Sequence, residues 1–256
     1  NTQLSNFYSD FDGYLNQQRV LLSELQNKIM RIRMMPMTII TNRLHRTVRE
    51  TAAKVGKEVR LVIQGEDIEL DRMVWEKLSD PLMHLLRNAV DHGIEPPELR
   101  HSLGKPPVGT VKVVASYQGN QVAIRIKDDG RGLDYTAIRE KARLAGSADK
   151  LDERSKEELA SLIFQPGFST CHGVSEVSGR GVGLDVVKGN ITELKGTVRV
   201  AESQDGQGAQ FYLRIPLTLA VVRALLFRVG GRLYAVALSE IKEILRIHPN
   251  NIVQQP

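Results

Sequence analysis

Only one cysteine, Cys171, occurs in the 256 residues, so no disulfide can close within the chain, and the composition fits a reducing compartment. No apolar run is long enough to cross a bilayer. The longest, from Leu217 to Phe227, is interrupted by Arg223 and falls short of the roughly 20 residues that a spanning helix needs. The start does not resemble a secretory leader, because Asn1 is followed by polar residues without a basic opening and an oily centre. Aromatic residues are scarce at 5%, and the 35 lysines and arginines are scattered among 30 acids. That favours a solvated basic exterior over a nucleic-acid patch, which would gather its cations around aromatic platforms. The histidines at 101, 172 and 248 show no metal-ligand spacing. Both ends of the chain read as cuts within a longer protein.

What is present falls into three stretches. Phe11, Leu15, Leu22, Leu25, Ile29 and Ile32 keep a seven-residue repeat with Gln18 as its polar intruder, the seam of a helical hairpin or coiled coil. The alternative is an amphipathic helix docked on the main domain. Pro36 then ends or kinks this helix, and a second helix is predicted from about Ile39 to Val55, closed by Gly56. From Glu58 the pattern turns to strand, and Asp71 is placed to cap a further helix. The segment from Gly109 to Gly130 alternates as two strands around Gln118, Gly119 and Asn120. Asp134 caps a helix to about Ala145, and another runs from Ser155 to Ile163. After a long loop of glycine and small polar residues the chain returns to helix at Gly183 and closes on a second hairpin to Leu217. Helices alternating with an antiparallel-biased sheet, without a strict βαβ rhythm, predict an α/β (α+β) two-layer sandwich. A separate β-rich unit begins near Leu219, with Gly230 and Gly231 at a hairpin turn.

The helix capped by Asp71 raises a question. Trp75, Leu78, Leu82, Leu85 and Ala89 recur at three and four residues and form its core stripe. His84, Asn88 and His92 follow at strict intervals of four on a second stripe, roughly 100° round the helix. Something polar is expected along it. Two glycine-bearing patches accompany this stripe: Asp128 to Gly132 ("DDGRG") at a strand end, and Ser178, Gly179, Arg180, Gly181, Val182 and Gly183 opening a helix. Glycines before a helix let its unpaired N–H groups and partial positive charge approach an anion, so the second patch predicts a phosphate site. It lacks the lysine and hydroxyl of a Walker loop, and no strand immediately precedes it as a dinucleotide fold requires. Asn88 offers a neutral oxygen suited to Mg²⁺ shared with phosphates. Asp128 offers a carboxylate that accepts from an adenine amino group, whereas guanine would set a carbonyl against it. A mismatch of that kind in a closed pocket costs on the order of 1 to 3 kcal/mol, which predicts ATP over GTP.

In their order these motifs resemble the gyrase, Hsp90, histidine kinase and MutL nucleotide-binding fold. Within it, "DPLMHLLRNAVDHGIEP", "GKPPVGTV", "DDGRGLD", "IFQPGFST", "VSEVSGRGVGLDVV" and "PLTLA" are similar to the CheA family of chemotaxis histidine kinases, including twitching-motility relatives, from about Leu25 onward. The resemblance implies three parts. Residues 1–36 would belong to a dimerisation hairpin, 37–217 to an ATP-binding catalytic domain, and 218–256 to the start of a β-barrel CheW-like regulatory domain. It implies transfer of the γ-phosphoryl of Mg-ATP to a histidine on a separate phosphotransfer domain, in the same or a partner chain. Response regulators, a CheW-like coupling protein, chemoreceptors and a homodimeric full-length protein are the implied partners. The implied location is cytoplasmic, at the inner membrane face through receptor arrays, without nucleic acid or membrane insertion.

By the same resemblance, His84 stands where gyrase-like and Hsp90-like ATPases usually place a water-activating glutamate. It is therefore expected to orient the acceptor or the terminal phosphate, sparing the γ-phosphoryl group from water. His92 approaches the phosphates, Lys141 neutralises them, and Gly130 and Gly132 let the backbone pass close to the base. Gly179, Gly181 and Gly183 cradle the phosphates under a lid. Where relatives often carry "FSTKEKVSEVSGRG", Cys171, His172 and Gly173 replace up to two lysines, implying weaker nucleotide retention. Cys171 reads as an ordinary exposed thiol, His45, followed by Arg46, as a surface or packing residue, and Arg87 with Asp91 as a structural i to i+4 pair. An ATPase of the same superfamily and a non-catalytic nucleotide-binding scaffold are the alternatives, separated by acceptor-independent hydrolysis and by whether Asn88→Ala removes a transfer rate.

Overall fold

Alternation along the central strands decides which side chains meet the core and which chemical group is carried in with them. In the computed structural model, which describes residues 13–15, 17–18, 20–22, 24–25, 28–29, 32–144, 154–168, 183–202, 208–217, 224–238, 241–243 and 245, the chain divides into two units, Asn1–Leu219 and Ala220–Pro256. The described residues from 13 to 33 are helical, and the apolar side chains of the repeat among them are exposed, Ile32 at 82%. The helix then gives way to a short strand, β1 (Met34–Pro36), followed by α1 (Thr38–Lys54) and β2 (Val59–Gln64). Next come β3 (Glu69–Asp71) and α2 (Arg72–Asn88), which runs into a π turn at Ala89–Gly93. A short helix α3 (Pro97–Ser102) leads to the hairpin β4 (Gly109–Gln118) and β5 (Gln121–Asp128). After α4 (Tyr135–Leu144) and α5 (Lys156–Ser161), the unit ends with α6 (Leu184–Glu193), β6 (Thr197–Glu202) and β7 (Ala209–Pro216).

Five strands form one sheet in the order β2-β4-β5-β7-β6, with β2 parallel to β4 and the other pairs antiparallel. On the inward face Val111 and Val113 of β4, Ile124 and Ile126 of β5 and Leu213 and Ile215 of β7 are fully or almost fully buried. Successive side chains of a strand point to opposite faces, so the series Val122, Ile124, Ile126 carries Asp128 to the same covered side. Helices α1, α2 and α6 supply the second layer, with α2 packed against both of the others. The predicted stripe of α2 holds: Trp75, Leu78, Leu82 and Leu85 are fully buried and Ala89 nearly so. Each large side chain buried in this way contributes roughly 1.5 to 3 kcal/mol. Pro81 is accommodated within α2. Asp71 caps it as expected, its Oδ1 accepting from the Met73 N–H at 2.8 Å.

The pairing of β1 with β3, Met34 opposite Asp71, is not visible in the sequence, where Pro36 reads only as the end of a helix. Trp75 Nε1–H donates to the Met35 carbonyl at 2.8 Å and Arg33 bonds Asp71 at 3.0 Å, so β1 is tied to the first turn of α2. In the second unit β8 (Ala224–Val229) and β9 (Arg232–Ala237) form the predicted hairpin, with Gly230 and Gly231 at φ +55° and +80°. Positive φ at both central residues defines the turn that matches strand twist, and glycine adopts it without strain. Phe227 and Tyr234 stack across the hairpin at 5.8 Å.

One glycine of the fold has no evident structural duty. Gly189 is exposed in the middle of α6, and a methyl group there would meet no atom within 4 Å. Gly189→Ala is expected to raise stability by about 0.5 to 1 kcal/mol through the entropy of the unfolded chain, measured by urea unfolding.

Candidate active site

The polar stripe of α2 is graded rather than uniform. His84 is buried, Asn88 is half-buried and His92 is exposed. His84 is thus largely covered, and the helix α6 packs against α2. Burial lowers the imidazole pKa below its ordinary value, the Arg87 cation lowers it further, and the Asp185 carboxylate opposes both. His84 is thus neutral at pH 7 and can donate one hydrogen bond and accept another. Asp185 stands in the first turn of α6, next to the N-cap residue Gly183, and a Cβ at 183 would lie 2.4 Å from the Asp185 Oδ1. The last glycine of the second glycine patch thereby stands at the start of α6, two residues before the carboxylate that acts on His84.

Beyond Asn88 the helix changes type. Ile94 N–H donates to the Ala89 carbonyl at 2.8 Å across five residues, so the stretch from Ala89 to Gly93 is a π turn and not a continuation of the α-helix. Such single turns disturb the hydrogen-bond ladder and are frequent at functional sites. The Lys57 ammonium stands over the disturbed ladder, bonding the Val90 carbonyl at 3.0 Å and the Asp91 carbonyl as well. Burial lowers the pKa of Lys57 below the usual lysine value, with Asp91 acting against it. The wider turn also removes the expected pair of Arg87 with Asp91. Among the described residues Asp91 pairs instead with His92 Nε2, at 3.6 Å, when that histidine is protonated.

Asp128 faces this turn from the end of β5. It is 3% exposed, and its Oδ1 accepts from two backbone N–H groups, Gly130 at 3.0 Å and Ala209 at 3.2 Å. Burial raises its pKa to about 6, the two backbone bonds pull the other way, and the Asp129 and Glu95 carboxylates add to the rise. Three glycines make room for it. A Cβ at Gly130 would lie 2.1 Å from the Gly93 carbonyl oxygen, one at Gly208 2.0 Å from the Asp128 carbonyl oxygen, and one at Gly93 3.2 Å from the Asp128 carboxyl. Arg131 closes the junction, its N–H donating to the Gly93 carbonyl at 3.0 Å and its Nε–H to the His92 carbonyl at 2.7 Å. The close neighbour of Gly130 is therefore the backbone of the π turn, a packing need that the sequence did not disclose. Gly132, at φ +78°, turns the chain beyond it.

Asn88, His92, Asp128 and Gly130 are thus joined through one backbone junction with Gly132 just beyond it, and the Asp185 carboxylate, two residues after Gly183, acts on His84 from the first turn of α6. Lys141 is half-buried in the last turn of α4, and among the described residues no bond or ion pair ties it to the others. Ser178, Gly179, Arg180, Gly181 and Val182 lie outside the described residues, as do Cys171, His172 and Gly173. Sequence reasoning missed Lys57, Gly93, Gly208 and a partly buried ion cluster of Glu95, Arg100, Lys105 and Asp129. Only the run of prolines and Gly104 around Arg100 hinted that its segment is fixed.

For a metal, the carboxamide of Asn88 provides one neutral oxygen. No group of three or more His, Cys, Asp or Glu able to hold an ion occurs among the described residues. One protein oxygen completed by phosphates and water suits Mg²⁺, which keeps much of its hydration, and not a cation that needs a full protein cage.

Comparison with known proteins bears on the family of the chain. The family model described as histidine kinase-, DNA gyrase B-, and HSP90-like ATPase matches residues 77–219. The chemotaxis protein CheA of Treponema pallidum is 48% identical over 229 residues, covering 90% of this chain and 28% of that protein. The sensor histidine kinase CheAY of Helicobacter pylori is 42% identical over 248 residues, covering 96% of this chain and 31% of that protein. The chain thus spans about a third of the length of these curated relatives. Among solved structures, the catalytic domain of histidine kinase ThkA aligns with a TM-score of 0.48 at 16% identity, over 73% of this chain and 95% of that one. By this match over residues 77–219, more than half of its length, the chain belongs to the histidine kinase-, DNA gyrase B-, and HSP90-like ATPase family.

Proposed function

We propose that this chain is the kinase core of a chemotaxis or motility two-component system. It binds Mg-ATP and transfers the γ-phosphoryl group to a histidine on a separate phosphotransfer domain, from which response regulators receive it. One observation carries the reading: Asp128, buried and anchored through Oδ1, is joined by the Gly93–Gly130 contact to the helix end that bears Asn88. This contact supports a reading in which a purine site and a phosphate site stand side by side.

Each group has a role in this reading. With Oδ1 held by two backbone N–H groups, Asp128 takes the adenine amino group on Oδ2. Gly130 and Gly132 shape the backbone beside the base. Asn88 holds Mg²⁺, which when bound neutralises charge on the phosphates. His92, exposed at the turn, and Lys141 approach the triphosphate, and Ser178, Gly179, Arg180, Gly181, Val182 and Gly183 cradle it. His84, neutral and buried, orients the acceptor or the terminal phosphate. The loss of lid lysines at Cys171, His172 and Gly173 weakens retention of the nucleotide.

Around this core, residues 1–36 act as part of a dimerisation hairpin in a homodimeric protein, supported by the exposed Leu22, Leu25, Ile29 and Ile32. Residues 37–217 form the catalytic domain. Residues 218–256 begin a CheW-like domain that reaches a coupling protein and chemoreceptors on the cytoplasmic side of the membrane. No helix among the described residues is long and apolar enough to cross it.

Incubation with γ-labelled ATP and the separate phosphotransfer domain should place acid-labile, base-stable label on that domain, and Asn88→Ala should remove the transfer. ATP binding without transfer overturns the kinase reading, and hydrolysis as fast without the acceptor as with it favours an ATPase.

A further inference from the structure

Next to the purine site lies a cluster of four charged side chains that the proposed chemistry does not use. Arg100 is 1% exposed, a rare burial for a side chain whose charge cannot be titrated away. Its Nε–H donates to the Pro106 carbonyl at 2.7 Å, Nη1 to the Glu95 Oε2 at 3.0 Å, and Nη1 and Nη2 to the Asp129 carboxylate at 3.2 and 3.0 Å. Lys105 Nζ bonds the Glu95 Oε1 at 2.7 Å and the carbonyls of Asp129 and Gly130 at 3.1 and 2.9 Å. Asp129 Oδ1 accepts in addition from the Thr110 N–H at 2.9 Å. Gly104, at φ +70°, turns the chain so that Lys105 returns against Glu95.

We infer that Arg100 is a positioning residue for the nucleotide site: its guanidinium clamps Asp129 and Glu95 together and so keeps the adjoining Asp128 in place as an ionised acceptor for the purine. This rests on the reading of Asp128 as the adenine contact.

Charge counting supports it. Arg100 and Lys105 balance Glu95 and Asp129, so the cluster is neutral beside a buried carboxylate. Without the guanidinium, two anions face Asp128 with a single cation among them, and a nearby like charge favours its protonated form. A protonated carboxyl turns a donor toward the donor amino group of adenine. The other charged and titratable groups on the surrounding elements are Arg131 on its own loop, Asp91 and His92 on the π turn, Lys57 over that turn, and Lys112 and Lys127 on the paired strands. The segment from Gly208 to Gln210 brings none. A lysine could not replace Arg100, because the planar fork serves both carboxylates at once.

The test is ATP affinity between pH 5.5 and 8.5, by calorimetry on the whole chain, with thermal unfolding as a check of the fold. Arg100→Gln should move the midpoint of the affinity–pH curve up by about one unit, so that it binds ATP about twofold more weakly than wild type at pH 7, about eightfold more weakly at pH 5.5, and recovers toward wild type at pH 8.5. Arg100→Gln with Asp129→Asn removes one charge of each sign and should return the midpoint. Lys105 is 17% exposed, so Lys105→Gln disturbs packing less and should shift the midpoint the same way even where Arg100→Gln does not fold. Loss of affinity equal at every pH, or unshifted midpoints in both Arg100→Gln and Lys105→Gln, overturns the inference. Failure of the wild type to prefer ATP over GTP overturns instead the purine reading beneath it.

Discussion

Asp128→Asn is expected to bind ATP about 100-fold more weakly than the wild type at pH 8 and to lose its preference for ATP over GTP. The carboxylate has acceptors on both sides, one for the Gly130 and Ala209 N–H groups and one for the purine. A carboxamide has one acceptor and one donor. Whichever way it turns, a donor faces a donor, either at the backbone or at the adenine amino group. Leaving such a buried group unmatched costs on the order of 1 to 3 kcal/mol, up to about a hundredfold in affinity. Calorimetric titration with both nucleotides measures it, and a variant that binds ATP within threefold of wild type would show that the purine lies elsewhere.

The same substitution has a stability signature of known sign. The carboxyl is raised from an ordinary 3.8 to about 6 in the folded protein. Such a group contributes stability that is fully present below pH 4 and is lost as pH rises through 6, because the folded state holds its proton longer than the unfolded chain. A shift of that size corresponds to about 3 kcal/mol across the window. Urea unfolding of the nucleotide-free protein should show this component between pH 4 and pH 7, and Asp128→Asn should lack it.

The second large effect is expected at Gly130. A methyl group there would sit 2.1 Å from the Gly93 carbonyl oxygen and 2.8 Å from the Ile94 nitrogen, both backbone atoms that no rotamer change can move aside. The π turn and the Asp128 loop must separate to admit it. The cost is about 3 kcal/mol, the upper part of the usual range for overpacking, or roughly 6 to 12 °C in melting temperature. Because the separation parts Asp128 from the helix end bearing Asn88, ATP binding should vanish even where Gly130→Ala remains folded. Gly119→Ala provides the contrast. Its φ of +60° carries strain of about 1 to 2 kcal/mol, but nothing lies within 4 Å, so ATP binding should persist.

Regular spacing made much of the fold legible. The α2 stripe, the Gly119 hairpin and the Asp71 and Asp134 caps could be read because each is a local pattern with a local physical cause. The π turn could not. Over four residues, Asn88 and His92 keep the same sequence spacing whether the helix has 3.6 residues per turn or more, and only the bond from Ile94 to Ala89 distinguishes the two. The three-residue β1 was hidden for another reason: a proline at its end reads as a helix stop, and its partner β3 lies more than thirty residues away. Arg100 and Lys57 were missed because helical periodicity and turn chemistry concern near neighbours, whereas Arg100 meets Asp129, 29 residues on, and Lys57 meets Asp91, 34 residues on. Asp128 itself was legible as the end of a strand beside glycines. Its desolvation follows only once alternation along β5 is combined with knowledge of which face the helices cover.

The union of β1 with the first turn of α2 has a mechanical consequence. Arg33, Met34 and Met35 grip Asp71 and Trp75 through an ion pair, a strand pairing and an indole bond, so the incoming chain cannot swivel without turning α2 about its own axis. With 17 residues, α2 is a shaft of about 26 Å whose opposite tip carries the carboxamide of Asn88. The chain entering at Arg33 is therefore fastened to one end of the helix whose other end presents Asn88.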